Sequence, residues 1–220
     1  MLHSWNLSPK QAIALQKRLA SEVVLKPLPE EITLVAGADA GYCRARDAGV
    51  AAVAVYTFPG LELKELVSAK GKLAYPYVPG LLSFRETPLL LEAYEELQEK
   101  PEVVLCDGQG VAHPRRIGIA SHLGLWLNLP TVGCAKTRLV GTHGRVGPNR
   151  GQYRSLLYQG DKVGVVLRTR TKVKPLYVSP GHLAEVDSSR KLVERCCLKY
   201  RLPEPIRQAH LAVQKAVRGA

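Results

Sequence analysis

Three features are missing from this 220-residue sequence: a membrane-length apolar run, a signal-like N-terminus and a paired cysteine framework. No apolar run reaches the length of a transmembrane helix, and the N-terminus contains no apolar signal core. The five cysteines are odd in number and form no CxxC pair, which argues against a disulfide framework and a zinc site. We therefore expect a cytoplasmic protein with reduced thiols and no membrane partner.

Acidic residues are also scarce, with 19 Asp and Glu against 31 Lys and Arg, so the net charge is +12. Residues 136–174 contain ten Lys and Arg and a single acid, and they carry +9 of that charge. Such a cluster is typical of a surface that contacts phosphates, and we expect a nucleic acid partner. The alternative is a basic soluble protein without such a partner. The residues expected to contact phosphates are Arg85, Arg138, Lys172 and Lys174.

The hydrophobic pattern predicts one α/β domain over residues 1–220. A helix starts at Ser8-Pro9, a hydroxyl cap followed by proline. Apolar segments 32–40, 50–58 and 61–68 have short links and predict an antiparallel three-strand meander. Further strands are predicted at 103–106, 131–135, 153–158, 163–169 and 176–179, and helices at 81–97, 116–127, 183–198 and 205–217. The expected fold is a mixed central sheet, the meander plus parallel strands, flanked by helices.

Three carboxylates occupy informative positions in this order of elements. Asp39 ends the first strand, Asp107 follows the fourth, and Glu86 shares a helix face with apolar residues. If the first strand lies beside the fourth, the acids converge, and they repel one another unless a cation joins them. Oxygen ligands favour Mg²⁺, with Mn²⁺ as the alternative, and such a site on a phosphate-binding protein suggests phosphodiester hydrolysis. Alternatively, Asp107 only starts a turn, and Glu86 pairs with Arg85 or lies at a solvated edge.

Six ordered segments resemble the endonuclease V family of deoxyinosine-directed repair nucleases. They are ADAGY (38–42), PYVPGLLSFRE (76–86), DGQGVAHPRRIGIASHLG (107–124), GCAKTRLVG (133–141), VSPGH (178–182) and RQAH (207–210). The resemblance implies a ribonuclease H-like fold. It also implies an endonuclease that recognises deoxyinosine in DNA and hydrolyses the second phosphodiester bond 3′ to it. The products would carry 3′-hydroxyl and 5′-phosphate ends.

Catalytic roles follow from the same resemblance. Asp39 and Asp107 match the aspartates that bind the divalent metal, and Glu86 matches an acid that reaches it through water. His210 matches the histidine that completes the site. Lys136 matches a lysine near the scissile phosphate, where a positive charge stabilises developing negative charge.

Base recognition is assigned to a stiff segment and a pocket beside it. Residues 75–80 (YPYVPG), called the wedge loop here, contain two prolines and match the family's wedge. Tyr77, with Val78 and Pro79, would be held against a base step during extraction of the lesion. The alternative is a rigid connector whose tyrosine packs inside. The pocket walls implied by the resemblance are Leu82, Gly108, Gly110, His113, Gly118 and Ile119.

Two other functions stay open at this point. One is an endonuclease that cuts inosine-containing RNA, because nothing in the sequence shows how a 2′-hydroxyl is treated. The other is a nucleic-acid-binding module that has the fold without the chemistry. The presence of Asp39, Glu86, Asp107 and His210 argues against that module. We expect a monomer.

Overall fold

The computed structural model describes residues 2–43 and 48–218, and within them the chain forms eight strands and five helices. The strands are β1 (Leu34–Cys43), β2 (Ala48–Thr57), β3 (Leu63–Gly71), β4 (Val103–Cys106), β5 (Thr131–Ala135), β6 (Tyr153–Tyr158), β7 (Asp161–Leu167) and β8 (Leu176–Pro180). The helices are α1 (Pro9–Ala20), α2 (Leu82–Glu95), α3 (Ile119–Leu127), α4 (Val186–Cys196) and α5 (Glu204–Arg218).

The strands form one mixed sheet in the order β3-β2-β1-β4-β5-β8-β7-β6. The first three strands pair antiparallel in succession, so the predicted meander is confirmed. β4 lies parallel to β1, and β5 lies parallel to β4, so the first and fourth strands are neighbours as expected. β8, β7 and β6 extend the sheet as antiparallel strands. β4 ends at Cys106 opposite Ala38, so its carboxyl end lies beside Asp39 in the middle of β1. The first strand was predicted to end at Asp39, but β1 continues to Cys43.

Helices cover both faces of this sheet. Ala36 and Val104 belong to an apolar cluster with side chains of α2 and α3. The alternate residues Val35 and Leu105 belong to a second cluster with side chains of α4 and α5. A Cβ atom at Gly37 would overlap the backbone at the start of α5, so glycine allows this helix to lie directly on β1. That close approach fixes where the start of α5 crosses β1.

Two helices start later than the sequence pattern predicts. The pattern predicts helix from residue 116, but Arg116 has a φ of 60° and α3 begins at Ile119. The pattern also predicts helix from residue 183, but Leu183 has a φ of 48° and α4 begins at Val186. A left-handed residue cannot continue a right-handed helix. The hydrophobic period does not reveal these conformations.

The leading helix α1 begins at the predicted cap. The Ser8 hydroxyl accepts a hydrogen bond from the Gln11 N–H, and the Gln11 side chain accepts one from the Ser8 N–H. Ala12 packs in a small cluster with Tyr75, Leu81 and Phe84. The helix thus packs against the start of the wedge loop and of α2.

All five cysteines are buried and free, at positions 43, 106, 134, 196 and 197. In the part of the chain that the structure describes, no helix combines the length and the apolar character needed to cross a bilayer.

Candidate active site

The end of β4 lies against the middle of β1 and brings the two predicted aspartates together. The Asp107 N–H donates to the Ala38 carbonyl at 2.9 Å, which holds Asp107 directly beside Asp39. α5 adds His210, whose Nδ1 lies 2.7 Å from Asp39 Oδ2 and 4.0 Å from Asp107 Oδ2. One ligand atom from each of the three residues lies within 4.8 Å of the others. Two carboxylates and an imidazole at this spacing fit a divalent cation such as Mg²⁺ or Mn²⁺.

Glu86 lines the same cleft from the first turns of α2. It lies outside the tight group of three ligand atoms, as a residue acting through water would. The structure does not pair it with Arg85. That guanidinium instead donates to the Tyr75 carbonyl at 2.7 Å and lies over the Tyr42 ring. Among the described residues, the Glu86 carboxylate has no ion pair.

Negative charge in the cleft is only partly compensated. Burial first, and then the charges of Asp39 and Asp107, raise the pKa of Glu86 to about 8. Burial and the Asp107 charge also raise the pKa of Asp39, against the hydrogen bond from His210 and the charge of Lys136. Carboxyl groups with raised pKa values have too little positive charge around them, and a bound cation would supply it.

Lys136 follows β5 directly, and its ammonium contacts the Asp107 carboxylate. The Lys136 backbone is held as well, because its carbonyl accepts a hydrogen bond of 2.6 Å from Arg201.

Gln214, which the sequence analysis missed, donates to His210 Nε2 at 2.8 Å. That bond leaves the His210 Nδ1 proton directed at Asp39. The only feature of the sequence that could have indicated Gln214 is its position one helical turn after His210.

A second cavity, of about 510 Å³, opens beside the acidic cleft. Eight of the nine residues expected to read the base line it: Tyr77, Val78, Pro79, Leu82, Gly108, His113, Gly118 and Ile119. The cavity also contains residues that the sequence analysis did not single out, among them Gln16, Ser83, Ile117, Thr137 and Leu139. Mostly apolar walls with a few polar groups suit a flat purine.

Gly110 is the exception, because it is not among the residues that line the cavity. Its N–H donates to the Ser179 hydroxyl at 2.8 Å, so this group is not available to read a base. A Cβ atom at Gly110 would overlap the Pro180 carbonyl. Gly110 therefore belongs to the packing beneath the cavity in this structure, and its expected place in the pocket wall stays a prediction.

Leu82, Asp107 and Lys136 line both the base-sized cavity and the acidic cleft. The cleft has a volume of about 470 Å³ and also contains Asp39 and His210. A nucleotide bound here could therefore place its base in one space while a neighbouring phosphate lies in the other.

The wedge loop exposes one tyrosine and buries the other. Tyr77 is 72% exposed and Tyr75 only 6%, which excludes a connector whose Tyr77 packs inside. The loop is anchored at the Gly80 carbonyl, which accepts hydrogen bonds from Gln16 at 3.0 Å, His113 at 3.2 Å and Arg115 at 2.6 Å. Three donors on one carbonyl hold the loop firmly at the mouth of the cavity.

His113 is neutral in this anchor. Burial, and then the charge of Arg115, lower the pKa of His113 to about 4. Its Nε2–H donates to Gly80, and its Nδ1 accepts the Arg115 N–H at 3.2 Å. Both ring nitrogens are therefore engaged in holding the loop, while the ring lines the cavity.

Several cations of the basic segment hold the protein's own backbone. Arg168 donates to the Val146 and Gly147 carbonyls, and Arg150 to the Cys197 and Leu198 carbonyls. The charge count alone therefore overstates the number of cations available to phosphates. Of the residues expected to contact phosphates, Arg138, Lys172 and Lys174 are exposed, and Arg85 is half-buried. Arg138 lines the base-sized cavity, and Arg85 lines a separate pocket between the N-terminal segment and α2.

The mixed sheet and its flanking helices form a ribonuclease H-like fold, and the endonuclease V relatives place the protein in the class of nucleases with that fold. A family model described as Endonuclease V matches residues 17–211. The chain belongs to the endonuclease V family.

Individual relatives agree with this assignment. An endonuclease V of Dehalococcoides mccartyi is 49% identical over 216 residues, which cover 98% of this chain and 97% of the relative. The crystal structure of the Streptomyces avermitilis endonuclease V has a TM-score of 0.93 at 40% identity, covering 98% of this chain and 96% of that one. A Ciona intestinalis endonuclease V, solved with DNA containing an inosine followed by a ribo-adenosine, has a TM-score of 0.84 at 26% identity. That match covers 96% of this chain and 98% of the other.

Proposed function

We propose that this protein is a DNA repair endonuclease that recognises deoxyinosine, the product of adenine deamination. It hydrolyses the second phosphodiester bond 3′ to the lesion and leaves 3′-hydroxyl and 5′-phosphate ends. Family membership supports the reaction class, and the Ciona relative bound to inosine-containing DNA supports the lesion. The observation that carries the proposal is the wall of Leu82, Asp107 and Lys136 shared by the base-sized cavity and the acidic cleft.

Lesion recognition begins with strand separation. Tyr77, exposed on a loop that Gly80 anchors, inserts at the lesion and helps to unstack it. Unstacking a base costs on the order of a few kcal/mol, and the cost is lower for a weakly paired, damaged base. The extruded base enters the cavity between the N-terminal ends of α2 and α3, against Leu82, Gly118 and Ile119.

Cleavage takes place in the adjoining cleft. Asp39, Asp107 and His210 would hold Mg²⁺, and Glu86 would hold water beside it. The bound cation would lower the pKa of a water molecule and stabilise negative charge on the phosphate. Lys136, now in contact with Asp107, turns its ammonium to the phosphate and stabilises the charge that develops during bond breakage.

Product mapping tests this proposal. A duplex with a single deoxyinosine, labelled at its 5′ end, is incubated with Mg²⁺ and run beside a sequence ladder. We expect one product that ends one nucleotide beyond the bond adjacent to the lesion. A DNA ligase should reseal the nick, because ligation requires 3′-hydroxyl and 5′-phosphate ends. Cleavage on the 5′ side, or a free base and an abasic site, would contradict the proposal.

A second candidate substrate is inosine-containing RNA. The DNA bound to the Ciona relative carries a ribonucleotide directly after the inosine, so that protein accommodates a 2′-hydroxyl there. Single-turnover rates on matched DNA and RNA strands, each with one inosine, would separate the two substrates. Faster cleavage of the RNA strand would favour an inosine-directed endoribonuclease.

A further inference from the structure

A chain of hydrogen bonds, buried at Ser83 and His122 and exposed at its far end, connects the wall of the base cavity to the N-terminal segment. Ser83, which is buried and lines the cavity, has its Oγ 2.9 Å from His122 Nδ1. His122 Nε2 lies 2.7 Å from His3 Nε2. The Trp126 indole N–H is directed at the same His3 nitrogen, at 3.2 Å, and His3 Nδ1 lies 2.9 Å from the Ser4 carbonyl.

These partners fix the position of every proton in the chain. The Ser4 carbonyl can only accept, so His3 carries its proton on Nδ1. Trp126 can only donate, so His3 Nε2 must present a lone pair. The short contact between His3 and His122 then requires the His122 proton on Nε2. His122 Nδ1 is left without a proton, and it accepts the hydroxyl proton of Ser83.

The surroundings keep both imidazoles neutral, as this arrangement requires. His122 is fully buried, and burial followed by the neighbouring His3 lowers its pKa to about 3. Burial also lowers the pKa of His3. The rings of Trp5 and Phe84 pack around the pair at centroid distances of 4.5 to 5.7 Å.

We propose that Ser83 is a specificity-determining residue whose hydroxyl, committed to His122 by this relay, offers only lone pairs to the base in the cavity. The inference rests on the proposed function and adds to it a polar group that distinguishes the bases. Hypoxanthine has a proton on ring nitrogen N1, whereas N1 of adenine is an acceptor. A fixed acceptor at the Watson–Crick edge bonds the first base and faces the lone pair of the second. A base that leaves this acceptor without a hydrogen bond should bind about tenfold to 100-fold more weakly.

Paired substrates test the contact at Ser83. One duplex carries deoxyinosine and the other deoxynebularine, a purine with no N1 proton. We expect Ser83→Ala to lower kcat/KM for deoxyinosine by about tenfold to 100-fold. The value for deoxynebularine should not fall, because its N1 lone pair then no longer faces an acceptor. A purely structural role for Ser83 would lower both values by the same factor, and that result would overturn the proposal.

Remote variants test the relay itself. His3→Ala removes the acceptor for the His122 Nε2 proton, so His122 can change tautomer and release the Ser83 hydroxyl proton toward the base. We expect the preference for deoxyinosine over deoxynebularine to fall by about fivefold or more. Trp126→Phe is the matched control, because it removes a donor to His3 but keeps the contact between the histidines. It should leave the preference unchanged, and equal losses in both variants would contradict the relay.

A measurement without substrate separates this inference from the proposed function. Nitrogen-15 NMR of the histidine rings in the free protein reports which nitrogen carries each proton. We expect His122 protonated on Nε2 and His3 on Nδ1 in the wild type, with the His122 tautomer lost in His3→Ala. The opposite tautomer of His122 would refute the relay even if deoxyinosine is cleaved. Failure to cleave deoxyinosine with the expected tautomers present would instead refute the proposed function.

Discussion

Replacing Glu86 with glutamine should make the metal-free protein more stable, although the residue belongs to the candidate active site. The pKa of Glu86 rises from 4.5 to about 8 in the fold, so its ionised form is disfavoured there. A carboxyl group with a raised pKa contributes stability that is fully present below pH 4.5 and is lost as the pH rises through about 8. Glutamine keeps the shape of the side chain and does not ionise.

The expected gain follows from the two pKa values. One pKa unit corresponds to about 1.4 kcal/mol, so the free energy of unfolding should increase by about 3 kcal/mol near pH 7. The gain should reach about 5 kcal/mol above pH 8 and vanish near pH 4.5. Urea denaturation in EDTA across this pH range measures it. Glu95→Gln, an exposed substitution near the end of the same helix, is the control, with an expected change within about 0.5 kcal/mol.

Bound Mg²⁺ should offset the stability advantage of Glu86→Gln over the wild type. Mg²⁺ binds the folded state only and stabilises it by mass action, and the wild type has one more carboxylate to attract it. We therefore expect Mg²⁺ to raise the Tm of the wild type more than that of Glu86→Gln. The reasoning would be refuted if the metal-free variant were no more stable than the wild type at about pH 8, or if its gain did not depend on pH.

Three further variants separate metal binding, lesion reading and phosphate contact. Asp107→Asn should abolish cleavage in Mg²⁺ while binding of deoxyinosine DNA in a gel-shift assay persists, because the uncharged amide weakens metal binding without removing any of the basic residues; turnover at the wild-type rate would contradict this. Tyr77→Ala should weaken binding to deoxyinosine DNA more than to normal DNA, by about tenfold; equal losses on both would make Tyr77 a structural residue. Replacing Lys172 and Lys174 together by alanine should lower the slope of log K against log salt by about two, as expected for two lost phosphate contacts; an unchanged slope would show that neither lysine contacts a phosphate.

The sequence was most informative about which strands carry the two aspartates. Strand periodicity placed Asp107 directly after β4, and the parallel pairing of β1 with β4 is confirmed. The prediction that the first strand ends at Asp39 was wrong, because β1 continues to Cys43. The helix carrying Glu86 was also predicted, because its apolar face has a clear helical period. Family resemblance, not periodicity, was needed to include His210 and Lys136.

Contacts between residues far apart in the chain were not predictable. Gln16 reaches the Gly80 carbonyl over 64 positions, and His3 reaches His122 over 119 positions. Neither contact leaves a periodic signal, since each depends on where α1 and the N-terminal segment pack. The roles of Arg150 and Arg168 were not predictable either. A charge count cannot distinguish an arginine that binds backbone carbonyls from one that faces solvent.

The most direct test of the central claim is single-turnover cleavage of two duplexes that differ only by deoxyinosine or deoxyadenosine at one position. The claim is that the cavity reads the base while the adjoining acids cut the backbone. We expect a single nick 3′ of deoxyinosine in Mg²⁺, no nick in EDTA, and no nick in the deoxyadenosine duplex under either condition. Equal cleavage of both duplexes, or cleavage of the lesion duplex that persists in EDTA, would contradict the account.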